Sequence, residues 1–167
     1  MISKIFRNVG LVILIIAGLA VLGACGSSNK GLSAGSSPTG PVTVMARTGP
    51  MGTYLTDGQG RSLYLFVADT NGTSTCNDAC AVQWPPLLTT GTPQAGSGVT
   101  ASMLGTVDRS GGAKQVTYNK HPLYLFIEDT AAGNVNGQGV NAFGALWWLV
   151  SPAGNAITTT SAPTTGY

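Results

Sequence analysis

Cys76 and Cys80, four positions apart, are the residues of this chain whose types and spacing most directly suggest chemistry. In an exported protein two such thiols most simply close one disulfide. Within a helical turn a C-x-x-x-C pair has its Cα atoms about 6 Å apart, near the upper end of bridge geometry. A bridge that short also admits a second reading, a redox-active pair, because strained disulfides are easier to reduce. The spacing is neither the thioredoxin-type C-x-x-C nor the haem-attaching C-x-x-C-H. No Lys, Arg or His lies within four residues of either cysteine to lower a thiol pKa.

Other reactive side chains are scattered. His121 is the single histidine and stands between Lys120 and Pro122 with no local partner for acid–base work or metal binding. Glu128 and Asp129 are adjacent, and neighbours on a strand face opposite ways. The "DTNGT" stretch from Asp69 resembles the start of a calcium loop, but Cys80 occupies the position where an EF-hand needs its bidentate Glu. The G-x-S-x-G letters at Gly31–Gly35 fall in the Gly/Ser-rich stretch and not in a strand–turn–helix, and no phosphate loop or H-E-x-x-H is present, so no catalytic residue, cofactor or metal site is expected. Trp84, before Pro85 and Pro86, and the pair Trp147-Trp148 are the large aromatics left over. Adjacent strand Trp residues point to opposite faces, so at most one of that pair is free to stack on a sugar or partner; the other reading is core packing.

The elements that position these residues come in two copies. "LYLFVADT" at Leu63–Thr70 returns as "LYLFIEDT" at Leu123–Thr130, an offset of 60 residues. Upstream, Tyr54 is expected to answer Tyr118, and Arg47 to answer Arg109 at the end of a preceding strand. "DGQG" (57–60) and "RSGGAK" (109–114) carry hairpin turn chemistry. In the first octapeptide Leu63, Leu65 and Val67 face one side and Tyr64 and Phe66 the other, the pattern of a central strand covered on both faces. Asp69 and Asp129 fall where each strand should end and are expected to accept backbone N–H bonds and close a turn. A lone hairpin unit is marginal in water, so the two copies are expected to share one core.

Tyr64-x-Phe66-x-x-Asp69 and Tyr124-x-Phe126-x-x-Asp129 resemble the Tyr-x-(Phe/Trp/Tyr)-x-x-Asp motif of the bacterial secreted-repeat lipoproteins, a family of unknown function. The resemblance runs over about 42–154 and extends to "CNDACAVQWPPL" and "NGQGVNAFGALWWLVSPAG". It implies a lipid-anchored, envelope-exposed repeat protein and supplies no substrate or catalytic residue.

At the N-terminus Lys4 and Arg7 precede an apolar run from Val9 to Ala24, too short to cross a bilayer comfortably but suited to a secretory signal. The run ends in Leu22-Gly23-Ala24-Cys25, which resembles the bacterial lipobox and implies that Cys25 is acylated and becomes the mature N-terminus. A Gly/Ser-rich stretch to position 41 then reads as a flexible tether with a reach on the order of 20–25 Å. Lys4 and Arg7 account for the formal charge of +2; six basic and six acidic residues remain, which leaves no nucleic-acid footprint.

The 24 glycines and many Thr, Ser and Asn favour short strands and tight turns over long helices. The expected fold is all-β, mainly antiparallel: two hairpin-containing units in one small domain, with a short helical turn near Cys76 and Cys80. Residues 1–24 form the signal peptide, 25–41 the tether, 42–157 the β domain (repeats at about 42–92 and 99–156) and 158–167 a loose tail. The expected role is a non-catalytic binding or scaffolding module, anchored on the extracytoplasmic side of a bacterial membrane, whose partner is an envelope protein or polysaccharide. A redox or electron-transfer accessory built on Cys76/Cys80 is the second expectation. The third is a carbohydrate-binding module built on an exposed Trp84, Trp147 or Trp148.

Overall fold

The computed structural model describes residues 39–160. The signal peptide, Cys25, nearly all of the tether and the end of the tail lie outside the described residues.

The first repeat opens with an antiparallel hairpin of β1 (Thr43–Gly49) and β2 (Gly52–Asp57), turned at Pro50 and Met51. After β3 (Tyr64–Phe66) the chain forms α1 (Ala79–Gln83), the expected helical turn, which holds Cys80 while Cys76 precedes it. The Trp84 N–H closes α1 on the Cys80 carbonyl at 2.8 Å, and Pro85 and Pro86 stop it there because proline has no N–H to continue the ladder. β4 (Leu88–Thr89) and β5 (Gln94–Ala95) finish the unit. The second repeat runs through β6 (Leu104–Asp108), β7 (Lys114–Tyr118), β8 (His121–Pro122), β9 (Asn141–Ala142) and β10 (Ala145–Leu149). Pairings are antiparallel except β1 with β5.

The two repeats exchange strands. β3 pairs with β10, setting Phe66 opposite Trp147, Leu65 opposite Trp148 and Tyr64 opposite Leu149. Reciprocally, the second motif runs against the segment before β4: Leu87 N–H donates to Leu123 O, Leu125 N–H to Pro85 O and Ile127 N–H to Gln83 O, at 2.9, 2.8 and 3.1 Å. Pro85 and Pro86 cannot donate in return, so this motif is held by isolated bridges rather than a continuous strand. At the centre Tyr64 and Tyr124 swap both backbone hydrogen bonds, at 2.9 and 3.0 Å, and an approximate two-fold axis passes between them.

Each motif has a hydrophobic cluster on either side, as the alternation predicts. Tyr64, Phe66, Tyr124 and Phe126 join Trp84, Trp147, Leu149 and both cysteines in one cluster. Leu63, Leu65 and Leu123 join Val44, Leu55, Leu87, Val116, Tyr118 and Val150 in the other. Val67 departs from the expectation: the strand ends at Phe66, the chain turns, and Val67 is 50% exposed.

The ladder also corrects the alignment of the repeats. Leu55 bonds Val150 and Leu63 as Val116 bonds Leu87 and Leu123. Leu55 therefore answers Val116, Tyr54 answers Gln115, and Tyr118 answers Asp57. Arg47 lies opposite Tyr54 and Val107 opposite Gln115, so Arg47 answers Val107 rather than Arg109. The two turns recognised in the sequence are both real but are not equivalents. Asp57–Gly60 leads from β2 toward β3, and its counterpart is the β7–β8 turn, where Asn119 and Lys120 both have positive φ. The turn between β6 and β7 answers the one at Pro50-Met51. Matching letters suggested one register, and backbone hydrogen bonding imposes another.

Candidate functional site

The motif residues meet across the two-fold axis. Tyr64 Oη donates to Asp129 Oδ2 at 2.6 Å, and Tyr124 Oη donates to Asp69 Oδ2 at 2.6 Å. Each tyrosine thus bonds the aspartate of the other repeat. The remaining carboxylate oxygens close the turns as expected: Asp69 Oδ1 accepts from Thr75 N and Thr75 Oγ1, both at 2.7 Å, and Asp129 Oδ1 accepts from Asn136 N at 2.8 Å. Both Asp69 oxygens are engaged in this way, and the loop that follows it is a turn lock.

Burial is the largest cause that raises both tyrosine pKa values well above the usual phenol range, and the neighbouring carboxylate adds to it. Burial likewise raises Asp129, against the pull of the Tyr64 hydrogen bond. The two environments differ in their further contacts. Ser74 Oγ lies 2.7 Å from Tyr124 Oη; the phenol's one proton is given to Asp69, so the serine is the donor. Gly137 N–H reaches Tyr64 Oη at 3.3 Å. A Cβ at Gly137 would stand 2.8 Å from Trp84 and 2.9 Å from Tyr64, so only glycine lets the backbone lie this close to the rings.

Beneath the phenols the aromatics form a column. Phe66 stacks on Trp147 at 4.2 Å, Trp147 on Trp84 at 3.9 Å and Trp84 on Phe126 at 4.1 Å, with rings alternating between repeats. Tyr124 meets Trp147 edge-on at 5.1 Å and Tyr64 meets Trp84 edge-on at 5.5 Å. Trp84 and Trp147 are fully buried, so neither offers a ring face to a sugar; Trp148 is half-buried against the other cluster. Asn134, Asn136 and Gln138, polar residues on the loop after the second motif, bond Ala131, Glu128 and Ile157 within their own loop and the chain end.

Cys76 and Cys80 form a disulfide with Cα atoms 5.2 Å apart. Both are buried in the aromatic cluster, an inert environment for a thiol and the setting of a structural clip. The fold brings up one cation that the local sequence does not show. Arg109 bonds Ser74 Oγ, Gln115 Oε1, Cys76 O and Asn77 Oδ1, fastening the second repeat to the disulfide loop of the first. Its contact is with the Cys76 carbonyl, so it positions the loop. Sequence reasoning missed this role because Arg109 is 33 residues from Cys76. His121 stands at the β7–β8 turn opposite Tyr118, away from these groups. Replacing Cys76 and Cys80 by serine should cost about 2 kcal/mol, the chain-entropy value for so short a loop, and lower Tm by several degrees. Calorimetry of oxidised wild type against the double variant checks this, and an unchanged Tm would refute it.

Comparison with curated proteins and with solved structures gives no match. One protein-family model, described as a secreted repeat of unknown function, matches twice, over residues 45–88 and 105–151. The two matches coincide with the strand-exchanging units that supply the crossed tyrosine–aspartate pairs, and together they span more than half of the chain, which therefore belongs to the family of secreted repeats of unknown function.

Proposed function

We propose that this protein is a lipid-anchored component of a bacterial cell envelope whose folded domain is a non-catalytic binding or scaffolding module. The observation that carries this reading is the engagement of the motif's phenols and carboxylates with one another inside the core, where they hold the two repeats together. Recognition then falls to the surface. Phe143, at the tip of the β9–β10 hairpin, is 49% exposed and has φ of 55°. A bulky residue in left-handed backbone is strained, and such strain clusters at binding sites. The Leu22–Cys25 sequence supports the anchor, and the near-neutral domain suits an uncharged or mixed partner surface in the envelope.

Cys25→Ser should abolish fatty-acid incorporation and move the protein from the membrane to the soluble fraction or leave it as a precursor; unchanged acylation would refute the anchor. A photo-crosslinking amino acid in place of Phe143 in the anchored chain should yield a discrete adduct with an envelope protein or polysaccharide. No adduct from position 143, or adducts forming equally from a control position such as Thr106, would refute this surface.

A further inference from the structure

The aromatic core has a feature that packing alone does not require: each buried phenol holds its proton against a carboxylate, at 2.6 Å, while its ring edge touches a stacked pair of indoles. We infer that the crossed pairs Tyr64–Asp129 and Tyr124–Asp69, joined by the Trp84–Trp147 stack, form a one-electron redox site that quenches oxidising radicals such as peroxyl radicals at the domain surface. This goes beyond the binding role, which falls to the surface, and gives the core pairs a function besides holding the two repeats together.

The step balances as follows. A peroxyl radical takes one electron from the Tyr64 ring and leaves as a peroxide anion. The Tyr64 O–H bond breaks, and its proton forms an O–H bond on Asp129 Oδ2. The products are a neutral tyrosyl radical and a carboxylic acid. A quinol reverses the step: it gives one electron to the Tyr64 radical and becomes a neutral semiquinone, its own O–H proton passing to the peroxide anion, while Asp129 returns its proton to Tyr64 Oη.

Three features of the structure favour this chemistry. Oxidising a phenol that keeps its proton gives a strongly acidic, high-energy cation; a carboxylate already hydrogen-bonded to the O–H removes that barrier, as a positioned general base does. Both tyrosines are 0% exposed, so the ring that carries the radical is shielded from coupling with other molecules, and the buried Asp69 and Asp129 keep the proton within the domain. The indoles link the two pairs, and they are not alike. Trp147 Nε1 donates to Ala142 O at 3.2 Å, whereas Trp84 Nε1 is buried without a partner among the described residues. An indole that cannot hand off its proton holds a positive charge only in passing, so the charge moves on to a tyrosine whose proton has an acceptor. Phe66 and Phe126, harder to oxidise, cap both ends of the column.

The full-length protein can be tested with photogenerated tris(bipyridine)ruthenium(III) as the one-electron oxidant, following tyrosyl radical by transient absorption and electron paramagnetic resonance. Wild type should give a neutral tyrosyl radical whose rate of formation does not depend on buffer concentration, because the proton moves inward. Asp69→Asn with Asp129→Asn keeps both phenols but removes the bases, and should slow formation about a hundredfold. Tyr64→Phe with Tyr124→Phe should lose the signal while circular dichroism still reports a folded domain. A wild-type rate in the asparagine variant would overturn the inference, whether or not the phenylalanine variant folds. An undiminished signal in a folded phenylalanine variant would overturn it too, by placing the radical on Tyr54, Tyr118 or Tyr167.

Discussion

Tyr64→Ala and Tyr124→Ala should each lower the unfolding free energy by about 3–5 kcal/mol, the range for removing a large aromatic side chain from a packed core. Both rings are fully buried, and each truncation also strips a buried carboxylate of its donor. The cost should be similar at the two positions because the two-fold arrangement gives them equivalent neighbours: an opposite-repeat aspartate and an edge-on tryptophan. Urea denaturation measures it, and a change under about 1 kcal/mol at either site would mean that the ring is not packed as described. A double-mutant cycle tests the crossing itself. Tyr64→Phe combined with Asp129→Asn should show a coupling of about 0.5–3 kcal/mol. Tyr64→Phe combined with Asp69→Asn, its own-repeat aspartate, should show a much smaller one. The reverse pattern would mean that the pairs close within each repeat.

The second large effect is alkaline. Tyr64 and Tyr124 have folded-state pKa values raised above the ordinary 10.0, with burial as the first cause and the facing carboxylate as the second. Above that ordinary value the unfolded chain releases phenol protons that the folded chain retains. The folded state then binds more protons, and stability falls as pH rises. The contribution is fully present below pH 10 and is lost above it at about 1.4 kcal/mol per pH unit for each tyrosine. The two together should make the domain fail steeply at high pH, and Tyr64→Phe should halve the slope even though that variant is less stable at neutral pH. An alkaline slope identical in Tyr64→Phe and wild type would refute the assignment. Asp129 has the same sign at the acid end: its raised pKa means that its part of the stability is greatest below the usual 3.8 and declines as pH rises through the folded value.

Much of this fold is legible in the sequence because it is local. Alternation at Leu63–Phe66 gives a strand buried on both faces, and Asp69 and Asp129 close the turns that follow. Turn residues mark Asp57–Gly60 and Arg109–Lys114, and Cys76 and Cys80 are near enough along the chain to bridge. The repeated octapeptide announces two similar units, and its letters are enough to point to the family. Each of these inferences needs only residues a few positions apart, whose relative placement is fixed by strand and turn geometry.

What the sequence leaves open is which copy serves which. Two identical motifs offer each aspartate two identically spelled tyrosines, and nothing in the spacing distinguishes a bond within a repeat from one across the axis. The choice is made where the chain turns back after Phe66 and after Phe126, and that path is set by the stacking of Trp84 on Trp147, residues 63 positions apart. The same long-range packing buries both indoles and assigns Arg109 to the disulfide loop. It also leaves Tyr54 answering Gln115 instead of another tyrosine. Backbone ladders and ring contacts between distant segments decided these points, because local preference is equally satisfied by either register and only the filled core separates them.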